Sequence, residues 1–256
     1  MRKDANVSGA IVFFHAHPDD EALLTAGTMA RANAEGQRVV LVTATAGEAG
    51  LADAGLVAEL GNRRKAELEL SGRILGAAQI ILLGYADSGL DGHSPVGPGQ
   101  AFAAIPTQTV AAQLAEILVA ENAHTLVVYD AAGGYGHPDH VHVHDAGVLA
   151  AEMAGLDRVF AATAPREPFK YGVRVANKLV HLPDDFDRSQ FEEAFTPRPQ
   201  ITHRVDVRDF IDFKRAAMRA HASQATGGDV RTLGVLLQIP RPIYRVVLGT
   251  EYYRQL

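Results

Sequence analysis

Hydrophobic residues in the first two thirds of the chain are concentrated in short, nearly continuous runs. Four runs rich in β-branched and aliphatic residues lie at residues 10–14, 38–43, 79–83 and 125–129. Runs of this kind, which lack the alternation of a half-exposed strand, are typical of strands covered on both faces of a parallel sheet. The pattern therefore predicts four parallel strands.

Segments with helical spacing of apolar residues separate these runs. We predict helices at residues 21–35, 56–75 and 107–121, and glycine, which is favoured just beyond a helix C-terminus, follows the first two. Strands that alternate with helices indicate βαβ units. The predicted fold class is α/β, with a Rossmann-like, mostly parallel sheet, helices on both faces, and a single domain over residues 1–256.

The hydrophobic pattern becomes less regular from about residue 157. We predict strands at residues 157–163, 177–182 and 244–248 and a helix at 209–223. Residues 84–106 contain many glycines and prolines and little periodicity. Because a loop longer than about 12–15 residues inside a compact domain is usually functional or disordered, we interpret this segment as a substrate-binding lid.

Composition limits the kind of partner. The 256-residue chain has a formal net charge of −6, a pI near 6.0 and no block of lysine or arginine. These values favour a small, neutral or mildly polar molecule over a nucleic acid or an anionic membrane. The N-terminus lacks a signal-peptide pattern and no apolar run is long enough to span a bilayer, so we expect no stable membrane insertion and a cytoplasmic location. The sequence leaves a homo-oligomer open.

Two clusters of histidine and aspartate each follow a predicted strand. H-P-D-D lies at residues 17–20, after the first run, and Y-G-H-P-D-H lies at 135–140, after the fourth. The carboxyl ends of parallel strands meet at one edge of a sheet, so both clusters should emerge there. Taken singly, the first cluster could be a helix cap formed by Asp19 or Asp20 and the second a surface turn. Their combination favours a shared metal ion.

The absence of cysteine restricts the ligands of such an ion to histidine and carboxylate side chains. A catalytic zinc usually has three protein ligands and a water molecule whose pKa falls to about 7. A further carboxylate can act as general base, and a further histidine can polarise a carbonyl or protonate a leaving group. Spacing alone does not say which histidine or aspartate takes each role.

At these residues the chain resembles the LmbE/PIG-L-like zinc deacetylases, the GlcNAc-PI de-N-acetylase family. The resemblance covers residues 12–147, and its motifs are most like those of the mycothiol deacetylase and mycothiol conjugate amidase branch. The matching motifs are A-H-P-D-D-E at 16–21, T-A-G-E at 45–48, R-x-x-E-L at 64–68, G-Y-A-D-S-G at 84–89, G-H-P-D-H at 136–140 and, more weakly, A-H-x-S-Q at 220–224.

The family pattern assigns roles that spacing leaves open. It implies a zinc ion, with Fe²⁺ or another divalent ion as the alternative, on the ligands His17, Asp20 and His140, and it implies that Asp19 is the general base. The implied reaction removes an N-acetyl or other N-acyl group from an amino sugar, a glycosylated natural product or a thiol precursor. The implied partner is a small amino-sugar-like molecule.

The resemblance also implies roles around the metal. His137 would stabilise the oxyanion or protonate the leaving amine, Asp139 would orient the ring of His137, and Tyr135 would be a further donor at the carbonyl. The residues implied in substrate binding are Arg64, Asp87 and Glu48. For the remaining histidines we expect supporting roles: His15 as a buried, hydrogen-bonded side chain, His142 and His144 beside the site or solvated, His93 in the exposed loop, and His221 as a cap or pocket wall.

Two other functions are compatible with the same residues. A metal-dependent hydratase, or a conjugate amidase acting on a non-sugar amide, would use the same site, and two histidines with one carboxylate can also hold Fe²⁺. An inactive binding protein is disfavoured, because every position expected to bind metal or move protons is filled.

Overall fold

A seven-stranded sheet forms the centre of the molecule. The computed structural model describes residues 9–48, 57–90, 92, 99–171, 193–225 and 232–256. The strands within these ranges are β1 (Ala10–His15), β2 (Arg38–Thr45), β3 (Gln79–Tyr85), β4 (Thr125–Tyr129), β5 (Val159–Thr163), β6 (His203–Asp206) and β7 (Thr250–Gln255). The helices are α1 (Asp20–Leu24), α2 (Ala26–Ala34), α3 (Val57–Leu75), α4 (Thr107–Ala120), α5 (Gly133–Gly136), α6 (Pro138–Ala154), α7 (Ile211–Ala220), α8 (Ala222–Ala225), α9 (Thr232–Gln238) and α10 (Arg241–Val247).

The sheet is parallel except at one side. Its order is β3-β2-β1-β4-β5-β7-β6; the first five strands in this order are parallel, and β7 and β6 are each antiparallel to their neighbour. From β1 the chain first builds outward through β2 and β3, and then continues on the other side with β4. Ligands of open α/β sheets bind at such a switch point, beyond the carboxyl ends of the strands. The predicted fold class is confirmed.

Strand β1 packs against hydrophobic cores on both faces. Val12 and Phe14 belong to a core shared with helices α4 and α6, whereas Phe13 belongs to a core shared with α2, α3 and α7. All three side chains are fully buried. Burying a side chain of this size contributes about 1.5–3 kcal/mol each. The two cores thus fix β1 and the start of the loop that follows it.

The predicted helix over residues 21–35 is divided in two at Thr25. This residue has φ −130°, outside the helical region, and ends α1 before α2 begins. Its hydroxyl lies 2.9 Å from Nε2 of the buried His15. The apolar spacing continues across the break, and for that reason the sequence pattern does not reveal it.

The last predicted strand was wrong. Residues 244–248 lie largely in helix α10, and the final strand, β7, begins at Thr250. Helix α10 begins after Pro240 and has a proline in its first turn, where the fixed φ of proline suits a helix start. Tyr244 is buried whereas Val246 is 81% exposed, so this apolar run is amphipathic rather than a core strand. Strand β6 was not predicted, and the strand predicted at residues 177–182 lies outside the described residues.

A buried carboxylate ties the last strand to helix α2. Glu251 accepts hydrogen bonds from the N–H groups of Gly27 (2.9 Å) and Thr28 (2.8 Å), and from the ammonium group of Lys214 (2.6 Å). The first N–H groups of a helix carry partial positive charge, so a carboxylate there is stabilising. The C-terminal third therefore helps to hold the helices that follow β1. None of the helices in the described ranges is long and apolar enough to cross a membrane.

Gly147 allows helix α6 to lie directly on β4. A Cβ atom at this position would lie 2.4 Å from Cγ1 of Val128. Alanine is better than glycine in a helix by about 1 kcal/mol, yet we expect Gly147→Ala to lower the free energy of unfolding by about 1–3 kcal/mol, because the added methyl overpacks the core. Urea denaturation measures this change. In a Val128→Ala background the same substitution should change the free energy of unfolding little. An equal loss of stability in both backgrounds would contradict the steric explanation.

Candidate metal centre

The two histidine-aspartate clusters meet at the carboxyl ends of β1 and β4. These strands are adjacent and parallel, so residues separated by more than a hundred positions become neighbours. The ring centroids of His17 and His140 are 5.4 Å apart, and those of His17 and His137 are 4.7 Å apart. The predicted convergence of the clusters at one sheet edge is therefore present in the structure.

One carboxylate oxygen of the first cluster lies close to an imidazole nitrogen from each cluster. Nδ1 of His17 lies 3.3 Å from Oδ2 of Asp20, and Nε2 of His140 lies 3.4 Å from the same oxygen. Ligand atoms about 2.0–2.2 Å from a tetrahedral zinc are themselves about 3.3–3.5 Å apart. Each of these two pairs thus has the separation expected of ligands on one zinc ion.

The ring of His140 is oriented for such a contact. Its Nδ1 lies 3.2 Å from the carbonyl oxygen of Gly133, to which it can donate, and its buried Nε2 has no hydrogen-bond partner among the described residues. The ring also stacks on Tyr129, with centroids 4.2 Å apart and an interplanar angle of 4°. A buried nitrogen that makes no hydrogen bond is costly unless it has a ligand, and a metal ion held between Nε2 and Asp20 would supply one.

Asp20 is held at the centre of this group. Its Oδ2 accepts hydrogen bonds from the backbone N–H of His17 (2.9 Å) and from the hydroxyl of Tyr129 (2.7 Å). Burial disfavours its charge, but the neighbouring His140 and His17 outweigh this effect and hold the pKa of Asp20 well below its usual range. Asp20 is thus an ionised, preorganised acceptor.

Other groupings of donors are also close together. His17, His137 and His140 offer one atom each within 4.8 Å of one another, and so do His17, Asp87 and Asp139. The nitrogen Nδ1 of His137, however, accepts a hydrogen bond from the backbone N–H of Asp139 (3.1 Å). A neutral ring with this contact carries its proton on Nε2, so His137 is better suited to donate than to bind a metal.

Asp19 occupies a strained position between the strand and helix α1. Its φ of 105° lies in the left-handed region, and its side chain makes no capping hydrogen bond with a described residue. The alternative of a capping side chain does not hold for Asp19: the residue is at the N-cap position, but its carboxylate lies 3.4 Å from Nη2 of Arg64. Burial raises the pKa of Asp19 to about 6, although Arg64 opposes the shift.

The buried side chain of Glu21 fixes the backbone of Asp19. Oε2 of Glu21 accepts the N–H of Asp19 (3.0 Å), while Oε1 accepts the hydroxyl of Ser71 (2.5 Å) and Nε2–H of His221 (2.6 Å). Burial opposes the ionisation of Glu21, yet His221 and Ser71 lower its pKa. The same ion pair raises the pKa of His221 in spite of burial. The predicted roles of His221, cap or pocket wall, miss this buried pair; only the A-H-x-S-Q motif pointed to the residue.

The predicted contact between the carboxylate of Asp139 and the ring of His137 is wrong. The backbone N–H of Asp139 holds that ring, because the turn at Pro138 makes His137 the N-cap of α6. The carboxylate is directed to Nε2 of His17 and to the N–H of Ser88, each at 3.1 Å. Burial and the neighbouring charges of His17 and His140 lower the pKa of His137 to about 4, so its ring is neutral at pH 7.

The residues implied in substrate binding lie around this centre in different environments. Oδ1 of Asp87 is 3.5 Å from Nε2 of His17, and Glu48 is half-buried with a pKa raised by burial. Tyr135 is 37% exposed, its ring centroid 5.3 Å from that of His140. Arg64, in contrast, is buried and donates to the carbonyl oxygens of Pro18 (2.5 Å) and Gly47 (2.6 Å). Its guanidinium group thus links the loop after β1, which contains Pro18, to the loop after β2, which contains Gly47.

The remaining histidines have structural contacts. His15 is buried and hydrogen bonded to Thr25 and Tyr129, as expected. Nδ1 of His144 lies 2.8 Å from the carbonyl oxygen of Tyr129, and His142 packs edge-on against Phe102. His93 lies outside the described residues. Tyr129 itself was not predicted, since nothing in the sequence distinguishes it from any other residue at a strand end.

Comparison with known proteins decides the family. A family model described as PIG-L: GlcNAc-PI de-N-acetylase matches residues 12–151, which is more than half of the chain. This chain belongs to the PIG-L family. The predicted resemblance is confirmed, and it extends beyond the N-terminal motifs. A 1D-myo-inositol 2-acetamido-2-deoxy-alpha-D-glucopyranoside deacetylase from Acidothermus cellulolyticus is 35% identical over 263 residues, covering 95% of this chain and 87% of that protein.

Solved structures share the fold of this PIG-L family member. The N,N'-diacetylchitobiose deacetylase from Pyrococcus horikoshii has a TM-score of 0.63 at 22% identity, covering 98% of this chain and 84% of that one. GalB, the 4-carboxy-2-hydroxymuconate hydratase from Pseudomonas putida, has a TM-score of 0.59 at 17% identity, covering 97% of this chain and 96% of that one. The name of the relative from Acidothermus cellulolyticus agrees with the predicted reaction class, whereas the hydratase shows that the fold also serves another reaction.

Proposed function

We propose that this PIG-L family protein is a zinc-dependent N-deacetylase of amino-sugar substrates. The observation that carries the proposal is Oδ2 of Asp20, which lies 3.3 Å from Nδ1 of His17 and 3.4 Å from Nε2 of His140, the separations expected of ligands on one ion. Three protein ligands would leave one tetrahedral position for water or substrate. Zinc bound there would polarise the amide carbonyl and lower the pKa of a bound water molecule to about 7. Fe²⁺ is the alternative ion, because two histidines and one carboxylate also suit it.

Side chains next to the proposed ligands supply the proton transfers. Asp19 follows Pro18 directly and is held by Arg64, so its carboxylate can take a proton from water at the adjacent centre. Nε2–H of His137 can donate to the oxyanion that forms from the amide carbonyl, since Nδ1 is already occupied. Between the two predicted roles of His137, oxyanion stabilisation is therefore the one we propose. Tyr135 would be a second donor from the exposed side.

The acidic residues beside the centre suit a substrate rich in hydroxyl groups. Asp87 and Glu48 present carboxylate oxygens that accept hydrogen bonds, and relatives that match most of the chain are named as deacetylases of an acetamido-sugar inositol. Arg64 is better placed to support the loops than to contact the sugar, because its guanidinium group already donates to the carbonyl oxygens of Pro18 and Gly47. We propose a small amino-sugar substrate, no nucleic-acid partner, a cytoplasmic location and one catalytic domain over residues 1–256.

An acetate-release assay combined with metal analysis tests this function. The purified protein would be assayed with GlcNAc-inositol, other N-acetylhexosamines and glycosylated natural products, before and after removal of metal by a chelator. We expect acetate release from at least one acetamido sugar, loss of activity with the metal and recovery on adding Zn²⁺. Acetate release that survives complete metal removal, or water addition to an alkene acid without any deacetylation, would overturn the proposal.

A further inference from the structure

The two ring nitrogens of His17 face different partners. Nδ1 lies 3.3 Å from Asp20, on the side of the proposed ion, whereas Nε2 lies 3.1 Å from Oδ2 of Asp139 and 3.5 Å from Oδ1 of Asp87. We propose that Asp139 is a positioning residue for His17: its carboxylate accepts Nε2–H and keeps Nδ1 available to the metal. The inference rests on the metal centre of the proposed function, and it replaces the role predicted for Asp139 at His137.

Asp139 is itself fixed before any metal binds. Its side chain is fully buried in the first turn of α6, and Oδ2 also accepts the backbone N–H of Ser88 (3.1 Å). The helix start at Pro138 and the loop after β3 thus hold the same oxygen from two directions. Little conformational freedom is left for His17 to lose on binding an ion, because the acceptor for its outer nitrogen is already in place.

The tautomer of His17 follows from these contacts. A carboxylate accepts only, so the proton between His17 and Asp139 belongs to Nε2. In the neutral ring that binds a metal ion, Nδ1 then carries the lone pair. Histidine ligands commonly donate their other N–H to a carboxylate in this way, and loss of that carboxylate typically weakens metal binding by about 10–100-fold. The contact that holds His137 comes from the backbone of Asp139, so a change of the side chain leaves it in place.

Metal affinity distinguishes this role from one at His137. We expect Asp139→Asn to weaken Zn²⁺ binding by about 10–100-fold, measured by competition with a chromophoric chelator. Asp145→Asn is the matched control: it makes the same change at an exposed carboxylate of the same helix, away from His17, and Zn²⁺ affinity should be unchanged. Equal affinities of wild type and Asp139→Asn would overturn the inference.

A double substitution adds a second criterion. The loss of Zn²⁺ affinity caused by Asp139→Asn should be just as large in a His137→Ala background, because the effect passes through His17. If it disappears there, Asp139 acts through His137 and the inference is wrong. A wild-type protein that binds no metal would instead contradict the proposed function.

Wild-type protein provides a readout that does not depend on the folding of a variant. In the Zn²⁺-loaded protein, nitrogen-15 NMR of the histidine rings should show His17 protonated at Nε2 and metal-bound at Nδ1, with the Nε2 proton shifted downfield. The opposite tautomer, with the metal on Nε2, would refute the role of Asp139.

Discussion

Substitution of Asp19 by asparagine is expected to reduce kcat by about 10²–10⁴-fold, the usual contribution of a general base, while the protein keeps its bound metal. The amide of asparagine cannot take a proton from water, but it preserves the size of the side chain. Asparagine also tolerates the left-handed backbone that Asp19 adopts at φ 105°. The variant should therefore lose catalytic activity while the loop keeps its backbone conformation.

Acetate release and metal content, measured on the same preparation, test this expectation. Asp145→Asn, which neutralises an exposed carboxylate on α6, is the matched control and should retain wild-type kcat. Full activity of Asp19→Asn would remove Asp19 from the mechanism. Loss of the metal together with activity would show that Asp19 belongs to the ligand set.

Replacement of His221 by alanine is expected to lower the free energy of unfolding by about 3–5 kcal/mol, because it leaves a buried carboxylate without its cation. Glu21 and His221 are both completely buried, and their 2.6 Å contact joins residues 200 positions apart. Urea denaturation of the metal-free protein is the appropriate measurement, since bound metal would add its own stabilisation. His221→Gln, which can still donate a hydrogen bond to Glu21, should lower the free energy of unfolding by a smaller amount.

An exposed ion pair gives the control for this effect. Arg31→Ala breaks the surface pair with Glu35 and should change stability little, as most solvent-exposed pairs contribute little. A similar small change in His221→Ala would mean that the buried pair does not support the fold.

The pH dependence of stability provides a further check on the pair. The pKa of His221 is raised in the folded protein, so its contribution is fully present below its unfolded pKa of about 6.5 and is lost as the pH rises through the folded value. The pKa of Glu21 is lowered, so its contribution is present above about 4.3 and is lost as the pH falls. His221→Ala should therefore flatten the alkaline side of the wild-type stability profile.

The local pattern of apolar runs and polar clusters was sufficient to predict much of the sheet and the edge at which the candidate site lies. The apolar runs predicted β1 to β4 because fully buried strands leave a continuous signal, and each histidine-aspartate cluster directly follows one of these strands. At Tyr244 the same kind of run was misleading. A short apolar segment suits a strand or an amphipathic helix equally, and the choice depends on the surface it packs against.

The partners of the site residues could not be predicted from spacing. Whether the carboxylate of Asp139 reaches His137 or His17 depends on the backbone at the start of α6, which gives the nearer ring a main-chain partner. Arg64 has the sequence context of a ligand-binding residue, but its burial depends on how α3 packs beneath both loops. Contacts of this kind are tertiary, and a one-dimensional pattern does not contain them.

The bond between Glu21 and His221 also constrains the order of events during synthesis. During synthesis, the proposed metal ligands and Asp19 are translated long before residue 221. Until helix α7 emerges and docks, the loop that carries Asp19 lacks the cation that stabilises its support. A nascent chain can therefore contain all three proposed metal ligands while the backbone of Asp19 is not yet held by the Glu21–His221 pair. Hydrolytic activity would then require synthesis of the last third of the protein.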